Sequence, residues 1–294
     1  MFKNPRFFEI RNISYDLNLE EQLAKLPARP PHDQEMQTIG FTSPFGPKSE
    51  LMTHVVAPYI RISLVIEKKV IPSAVVKIML IRRIAKIEKE EDRILDKSEI
   101  KTLKEVIFND LKKTAFTKHK FIDALLSIPN KLMVINAASD SDCESFLASF
   151  KKVVEIDLSA LSFDRSPIEV MTTWLRESTL PDDLLLGKEC LLKSVDEEPS
   201  TISCAKQEEI DDEMAIHLEN GKFVASLSLV WRGSYGMTLN NNLTIKKFKC
   251  LEKSPDSEDD LDYQTILDNE LAEYGPLYGQ LSQSLSSWFQ ETVE

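Results

Sequence analysis

The feature that most limits the fold is the way the hydrophobic period changes along the chain. Residues 54–67 (HVVAPYIRISLVIE) are β-branched and partly alternating, the mark of a half-buried strand or hairpin. Directly after them Ile71-Pro72-Ser73 opens a long helical segment, with proline near the start, where its missing N–H costs nothing. A second helix is expected from about Ser98 to Lys113, then strands over 116–126 and 131–137 around Pro129-Asn130. Ser141-x-x-Glu144 reads as a capping box for a helix through Phe150, followed by a short strand near Val153. Before these lie a strand at Phe7-Phe8-Glu9-Ile10, a polar helical segment from Leu17 to Leu26 and a turn-rich stretch.

The second half repeats the alternation. A helix is expected around Ile168 to Arg176, with strands over Leu184–Leu192 and Thr201–Cys204. Glu208–Glu219 reads as a helix stopped by Asn220-Gly221. Lys222–Trp231, Tyr235–Leu239 and Leu243–Cys250 read as a three-stranded meander. After an acidic linker at 252–262, a final amphipathic helix carries Leu267, Leu271, Leu277, Leu281, Leu285 and Trp288. The expected fold class is therefore α+β, with mostly antiparallel sheets and long helices. Residues 1–160 are expected to form an N-terminal region carrying a basic helical segment at about 72–114, and 161–294 a C-terminal region.

Most chemistries lack their residues. Eight glycines in 294 residues leave little for phosphate-cradling loops. Gly187-Lys188 has neither the upstream glycine nor the Ser/Thr of a P-loop, and Gly233-Ser234-Tyr235-Gly236 lacks the third glycine of a dinucleotide turn. There is no GxSxG elbow or HExxH pair, and His32, His54, His119 and His217 are scattered. The nearest approach to a metal nuclease is Asp182 followed by Glu189-Cys190-Leu191, with leucine where a lysine is needed. Asp140-Ser141-Asp142-x-Glu144 opens like a calcium loop but does not close like one. Cys143, Cys190, Cys204 and Cys250 are at least fourteen positions apart, without redox or zinc spacing. No catalytic residue, metal or cofactor is expected, and no apolar run is long enough for a membrane span. The chain reads as cytoplasmic.

Charge is the remaining signal. The total is −12, yet residues 61–120 hold 16 Lys+Arg against 9 Asp+Glu. Taken as one helix, residues 80–97 place Leu80, Ile84, Ile87, Ile94 and Leu95 on a core-facing stripe. Arg82, Lys86, Lys89, Arg93 and Lys97 then fall within about 80° on the other side, a basic ridge roughly 22 Å long. Lys112-Lys113 and Lys118-His119-Lys120 follow, with Phe116 between them. Such a ridge suits successive backbone phosphates, and it carries no base-reading motif. It equally suits a solvated face laced with surface ion pairs, or a helix docked on an acidic protein surface such as the partner's 252–262 linker.

The ordered string of short matches resembles the recombination-associated protein RdgC family. It begins with Phe2-Lys3-Asn4, Gly40-Phe41, Pro44-Phe45-Gly46 and Thr53-His54-Val55. Its densest part is Glu67-Lys68-Lys69-Val70-Ile71-Pro72-Ser73 with Val75, Val76 and Lys77. Ala115-Phe116, Pro167-Ile168-Glu169, Trp174, Ala205-Lys206-Gln207, His217-Leu218-Glu219-x-Gly221-Lys222 and Trp231 complete it, over residues 1–250. The resemblance implies an elongated subunit closing into a ring-shaped homodimer that encircles duplex DNA without sequence preference, with single strands left open. It implies antagonism of the RecA recombinase, and a place on the nucleoid. Carried over by motif, Arg93, Lys206, Gln207 and Lys222 become DNA contacts, and Phe116 a subunit contact. Ala205 departs from the family pattern, which has a second lysine there.

Overall fold

The computed structural model describes residues 1–13, 18–194, 200–205, 212–252 and 262–290, with the backbone alone at 13, 204, 205 and 212–215. The expected α+β architecture with antiparallel sheets is present. The first sheet is built from β1 (Pro5–Ile13), β2 (Gln37–Thr42), β3 (Thr53–Val56), β4 (Tyr59–Lys69), β5 (Thr117–Ser127), β6 (Leu132–Asn136) and β7 (Ile156–Ala160), in the order β2-β4-β5-β6-β1-β7 with β3 beside β4. The run 54–67 is the β3–β4 hairpin, turned at a cis Ala57-Pro58 bond. The second sheet contains β8 (Leu184–Lys193), β9 (Thr201–Ala205), β10 (Phe223–Trp231), β11 (Tyr235–Asn240) and β12 (Ile245–Cys250), ordered β12-β11-β10-β8-β9. Its β10–β11–β12 part is the expected meander.

Each face of the first sheet has its own cover. Strand alternation sends Ile62, Leu64, Ile122, Ala124, Met133 and Ile135 to one side, onto Phe146 and Phe150 of α4 (Asp140–Val153) and Leu19 and Leu23 of α1 (Leu19–Leu23). The other side contributes Phe7, Leu125, Leu132 and Val134 to a core shared with the second sheet, α5 (Pro167–Glu177) and α7 (Tyr263–Phe289). A further helix, α6 (Asp212–Glu219), precedes β10; residues 208–211 of the expected helix lie outside the described residues. Two local expectations need correction. The N-cap of α4 is Ser139, whose Oγ accepts from Asp142 N at 3.2 Å, so Ser141 already lies inside the helix. Val153 ends that helix, and the strand follows at Ile156.

Helix α7 joins the two halves of this core. Toward the first sheet its Glu270 meets Arg61 at 3.3 Å and the Met1 amine at 3.0 Å, and Asp268 Oδ1 lies 2.6 Å from His54 Nε2. Arg61 also pairs with Asp123 at 2.8 Å. At Gly275 the helix comes so close to β4 that a Cβ there would stand 2.5 Å from the Tyr59 ring. Toward the second sheet, the Asp183 carboxylate accepts from Trp288 Nε1 at 2.8 Å, Trp231 Nε1 at 3.0 Å and Ser284 Oγ at 3.0 Å. These bonds satisfy two indole donors that would otherwise be buried at a cost.

Candidate nucleic-acid interface

Neighbouring strands β4 and β5 pair down to Lys69 and Thr117, and the chain between them leaves the sheet as a helical hairpin. Its arms are α2 (Ser73–Glu91) and α3 (Lys97–Thr114), and Val70 N bonds Phe116 O at 2.9 Å where they return. At 1.5 Å per residue α2 is about 28 Å long. It buries Val76 and half-buries Leu80, Ile84 and Ile87 along one stripe. The opposite face is open. It carries Val75, Ile78 and Met79 near the sheet and Arg82, Lys86 and Lys89 farther out, all exposed.

The continuous ridge over 80–97 is not what forms. Helix α2 stops at Glu91, Asp92 turns left-handed at φ 49°, and α3 begins at Lys97. The cause is local and polar. Asp96 Oδ1 accepts from Ser98 N at 2.7 Å and Glu99 N at 2.8 Å, while Glu99 Oε2 accepts from Asp96 N at 2.9 Å. That reciprocal pair starts a new helix. Ile94, expected on the core stripe, is 87% exposed, whereas Leu95 is buried. Three basic residues therefore remain on one helical face, Arg82 to Lys89, spanning about 10 Å rather than 22 Å.

The cations differ in availability. Arg93 is engaged in the turn, bidentate to Glu99 at 2.7 and 2.8 Å and bonded to Glu91 at 2.6 Å. The hydrogen bonds from Arg93 hold the Glu99 carboxyl down at about 2, and those carboxylates raise the guanidinium in return. Lys86 lies 3.7 Å from Glu90, an exposed i,i+4 pair of small value. Arg82, Lys89 and Lys97 make no ion pair among the described residues. Lys118 is exposed on β5, directly opposite Lys68 of β4, an unfavourable like-charge pair that an anion would relieve. Lys120 is already neutralised by Asp142, 2.6 Å from both carboxylate oxygens. Burial pushes the Asp142 carboxyl up, but the bonds from Lys120 and Ser139 outweigh it and leave it lowered.

Lys222 stands apart, at the start of the second sheet's β10, its Nζ 3.4 Å from His217 Nδ1. Lys206 and Gln207 lie outside the described residues. Sequence reasoning passed over Lys68, whose place beside Lys118 depends on register, and also Arg83, Lys101 and Lys104, exposed on the hairpin. The last two follow Lys97 at spacings of four and three, a signal readable on the second helix already expected from about Ser98.

Phe116 is 89% exposed at the hairpin's root. Val70, whose N–H bonds Phe116 O, is exposed beside it, and Phe121, 63% exposed, lies five residues farther along β5. Large exposed apolar side chains in one neighbourhood mark an interaction surface. Elsewhere, Glu189 is paired with Lys247 at 2.8 Å, and among the described residues no three Asp, Glu, His or Cys side chains gather as a metal cage. Among them, too, no helix is long and apolar enough to cross a membrane.

The fold defines the class as a two-sheet α+β protein with an exposed basic helical hairpin, and comparison with known proteins gives the family. Residues 1–291 match the family model described as "Putative exonuclease, RdgC", and the chain belongs to the RdgC family. The Recombination-associated protein RdgC of Proteus mirabilis is 32% identical over 284 residues, covering 96% of this chain and 94% of that protein. The proteins of that name from Yersinia pestis and Pseudoalteromonas atlantica are 32% and 28% identical, over 89% and 88% of this chain and 87% of each relative.

Proposed function

We propose that this chain is a non-enzymatic, sequence-independent DNA-binding protein that encircles duplex DNA as a homodimeric ring. In this reading it modulates homologous recombination by occupying DNA for which the RecA recombinase competes, in the cytoplasm on the nucleoid. The observation that carries the DNA part is the open face of α2, where Arg82 and Lys89 project without an ion pair among the described residues. Flexible cations on a helix face suit phosphates, whose contacts fix position but read no sequence. The exposed Phe116 region supports the homodimer, because an apolar surface of this kind gains by being covered. The relatives' name supports the link to recombination. Encirclement needs positive charge only on an inner surface, so a total of −12 is compatible with it.

The test is fluorescence anisotropy on an unrelated-sequence duplex at two salt concentrations, followed by competition against the recombinase. Binding should be indifferent to sequence and fall steeply with salt, with a log–log slope of about −0.9 per phosphate neutralised. Absence of binding at low salt overturns the DNA reading. Magnesium-dependent shortening of the duplex would instead support the exonuclease wording of the family description.

A further inference from the structure

Cys190 and Cys204 are fourteen positions apart in sequence, with no redox spacing, yet the fold makes them direct partners. The antiparallel β8–β9 register runs Glu189 to Ala205, Cys190 to Cys204 and Leu191 to Ser203. We propose that Cys190 and Cys204 are an oxidation-sensitive pair that closes a cross-strand disulfide between β8 and the edge strand β9.

Backbone geometry carries this. Directly opposed residues of an antiparallel pair have Cα atoms about 4.5 or 5.5 Å apart, according to whether they are hydrogen-bonded. Both separations fall inside the roughly 4.4–6.8 Å range that a disulfide spans. The ladder already fixes that separation, so little chain entropy remains to be lost when the bond closes. Access is provided by position. Among the described residues β9 ends the sheet with a strand on one side only, so parting it from β8 breaks a single ladder. Cys190 itself is buried against the sheet, which favours a small oxidant over a bulky one.

The other two cysteines have no such arrangement. Cys143 is enclosed in the α4 core, away from the β8–β9 ladder. Cys250 is exposed on β12, at the opposite edge of the second sheet, so its oxidation would link separate molecules. With hydrogen peroxide as oxidant, one thiolate attacks the O–O bond, becoming a sulfenic acid and releasing hydroxide that takes up a proton as water. The second thiolate then attacks that sulfur and expels its oxygen as a second water. Two thiols are oxidised by two electrons, the peroxide is reduced, and both thiol protons end in water. Cross-strand bridges are strained, and such bonds are the readily reduced ones. Cys204 lies two positions before Lys206, so the bridge would pin the strand leading to a proposed DNA contact. That consequence rests on the DNA reading; the bridge does not.

The experiment treats the full chain and its Cys250→Ser variant with hydrogen peroxide, blocks remaining thiols, and digests with trypsin without reduction. Cleavage after Lys188, Lys193 and Lys206 puts Cys190 and Cys204 on separate peptides, 189–193 and 194–206. The expected result is these two peptides linked, two hydrogens lighter than their sum, and separated again by dithiothreitol. The linkage should persist in Cys250→Ser and vanish in Cys204→Ala. Recovery of both peptides with blocked thiols from folded, oxidised protein overturns the proposal, as does Cys190 or Cys204 joined only to another cysteine. No DNA enters the measurement, so its failure is separate from failure of the DNA reading.

Discussion

Helix α7 and the α2–α3 hairpin are both long helical segments, and they are held in place by opposite means. Helix α7 buries Leu267, Leu271, Leu277, Tyr278, Leu281, Leu285, Trp288 and Phe289. Each arm of the hairpin buries one residue, Val76 in α2 and Ile107 in α3. Helix α7 is capped by Asp262, but its long buried face dominates, and Pro276 is tolerated inside it. In the hairpin, capping and ion pairs decide the structure, which leaves whole helical faces open to a partner. The difference teaches that the surface proposed for DNA lies where the core contributes least.

The contrast can be broken first at the packed end. Trp231→Ala removes a fully buried side chain and one donor to Asp183, and should cost about 3–5 kcal/mol. That corresponds to a fall in Tm on the order of 10 °C, read by thermal or urea unfolding. A loss under about 1 kcal/mol would mean that the core can close over the gap. The combined Arg82→Glu, Lys86→Glu and Lys89→Glu change should do the reverse. It should weaken duplex binding by on the order of 100-fold, flatten the salt slope by roughly 3, and leave Tm nearly unchanged. Unchanged DNA affinity would move the proposed interface away from α2.

Phe116→Ala tests the hairpin's root. It should raise the dimer dissociation constant about 30-fold, on the order of 2 kcal/mol, in sedimentation measurements. Monomer stability should hold, because the side chain is 89% exposed. Asp96→Ala, which removes the cap of α3, should cost about 1 kcal/mol. It should appear as faster amide exchange near residues 93–100 without change in α7. The smallest effect is acid loosening of the same turn. Glu99 titrates lower in the folded chain, near 2, than a carboxylate does unfolded, so its contribution is complete above about 4.5. It is lost as pH falls from there toward 2, and protection factors at the turn, corrected for the intrinsic pH dependence of exchange, should fall over that window while those of α7 hold.

Legibility followed the same division. The leucines at 267, 271, 277, 281 and 285 are all buried in α7, because a helix pressed on a core must repeat its apolar residues every three or four positions. The meander was legible for the corresponding reason, with Val224, Leu227, Leu229 and Trp231 turned inward along β10. The second helix was expected from about Ser98, but the first was carried through to 97 instead of ending at Glu91, because Ile94 and Leu95 prolong the apolar period of α2. The signal against continuity was nonetheless present in Asp96-Lys97-Ser98-Glu99, an acidic cap followed three residues later by glutamate. The opposition of Lys68 and Lys118 could not be read, since register is a property of the paired strands and not of either one.

One joint of the structure has a bearing on how such a chain is made. Phe2 N donates to the hydroxyl of Tyr278, 276 positions away, and the two rings stack at 5.3 Å. A growing polypeptide emerges from its first residue, so the β1 side of the shared core has no α7 to meet until almost everything between them has been translated. During that interval Phe2, Phe7 and Leu132 are apolar surface without a cover. Synthesis is therefore the period in which this fold is most exposed to the wrong partner, and contacts of such long sequence separation are slow to close.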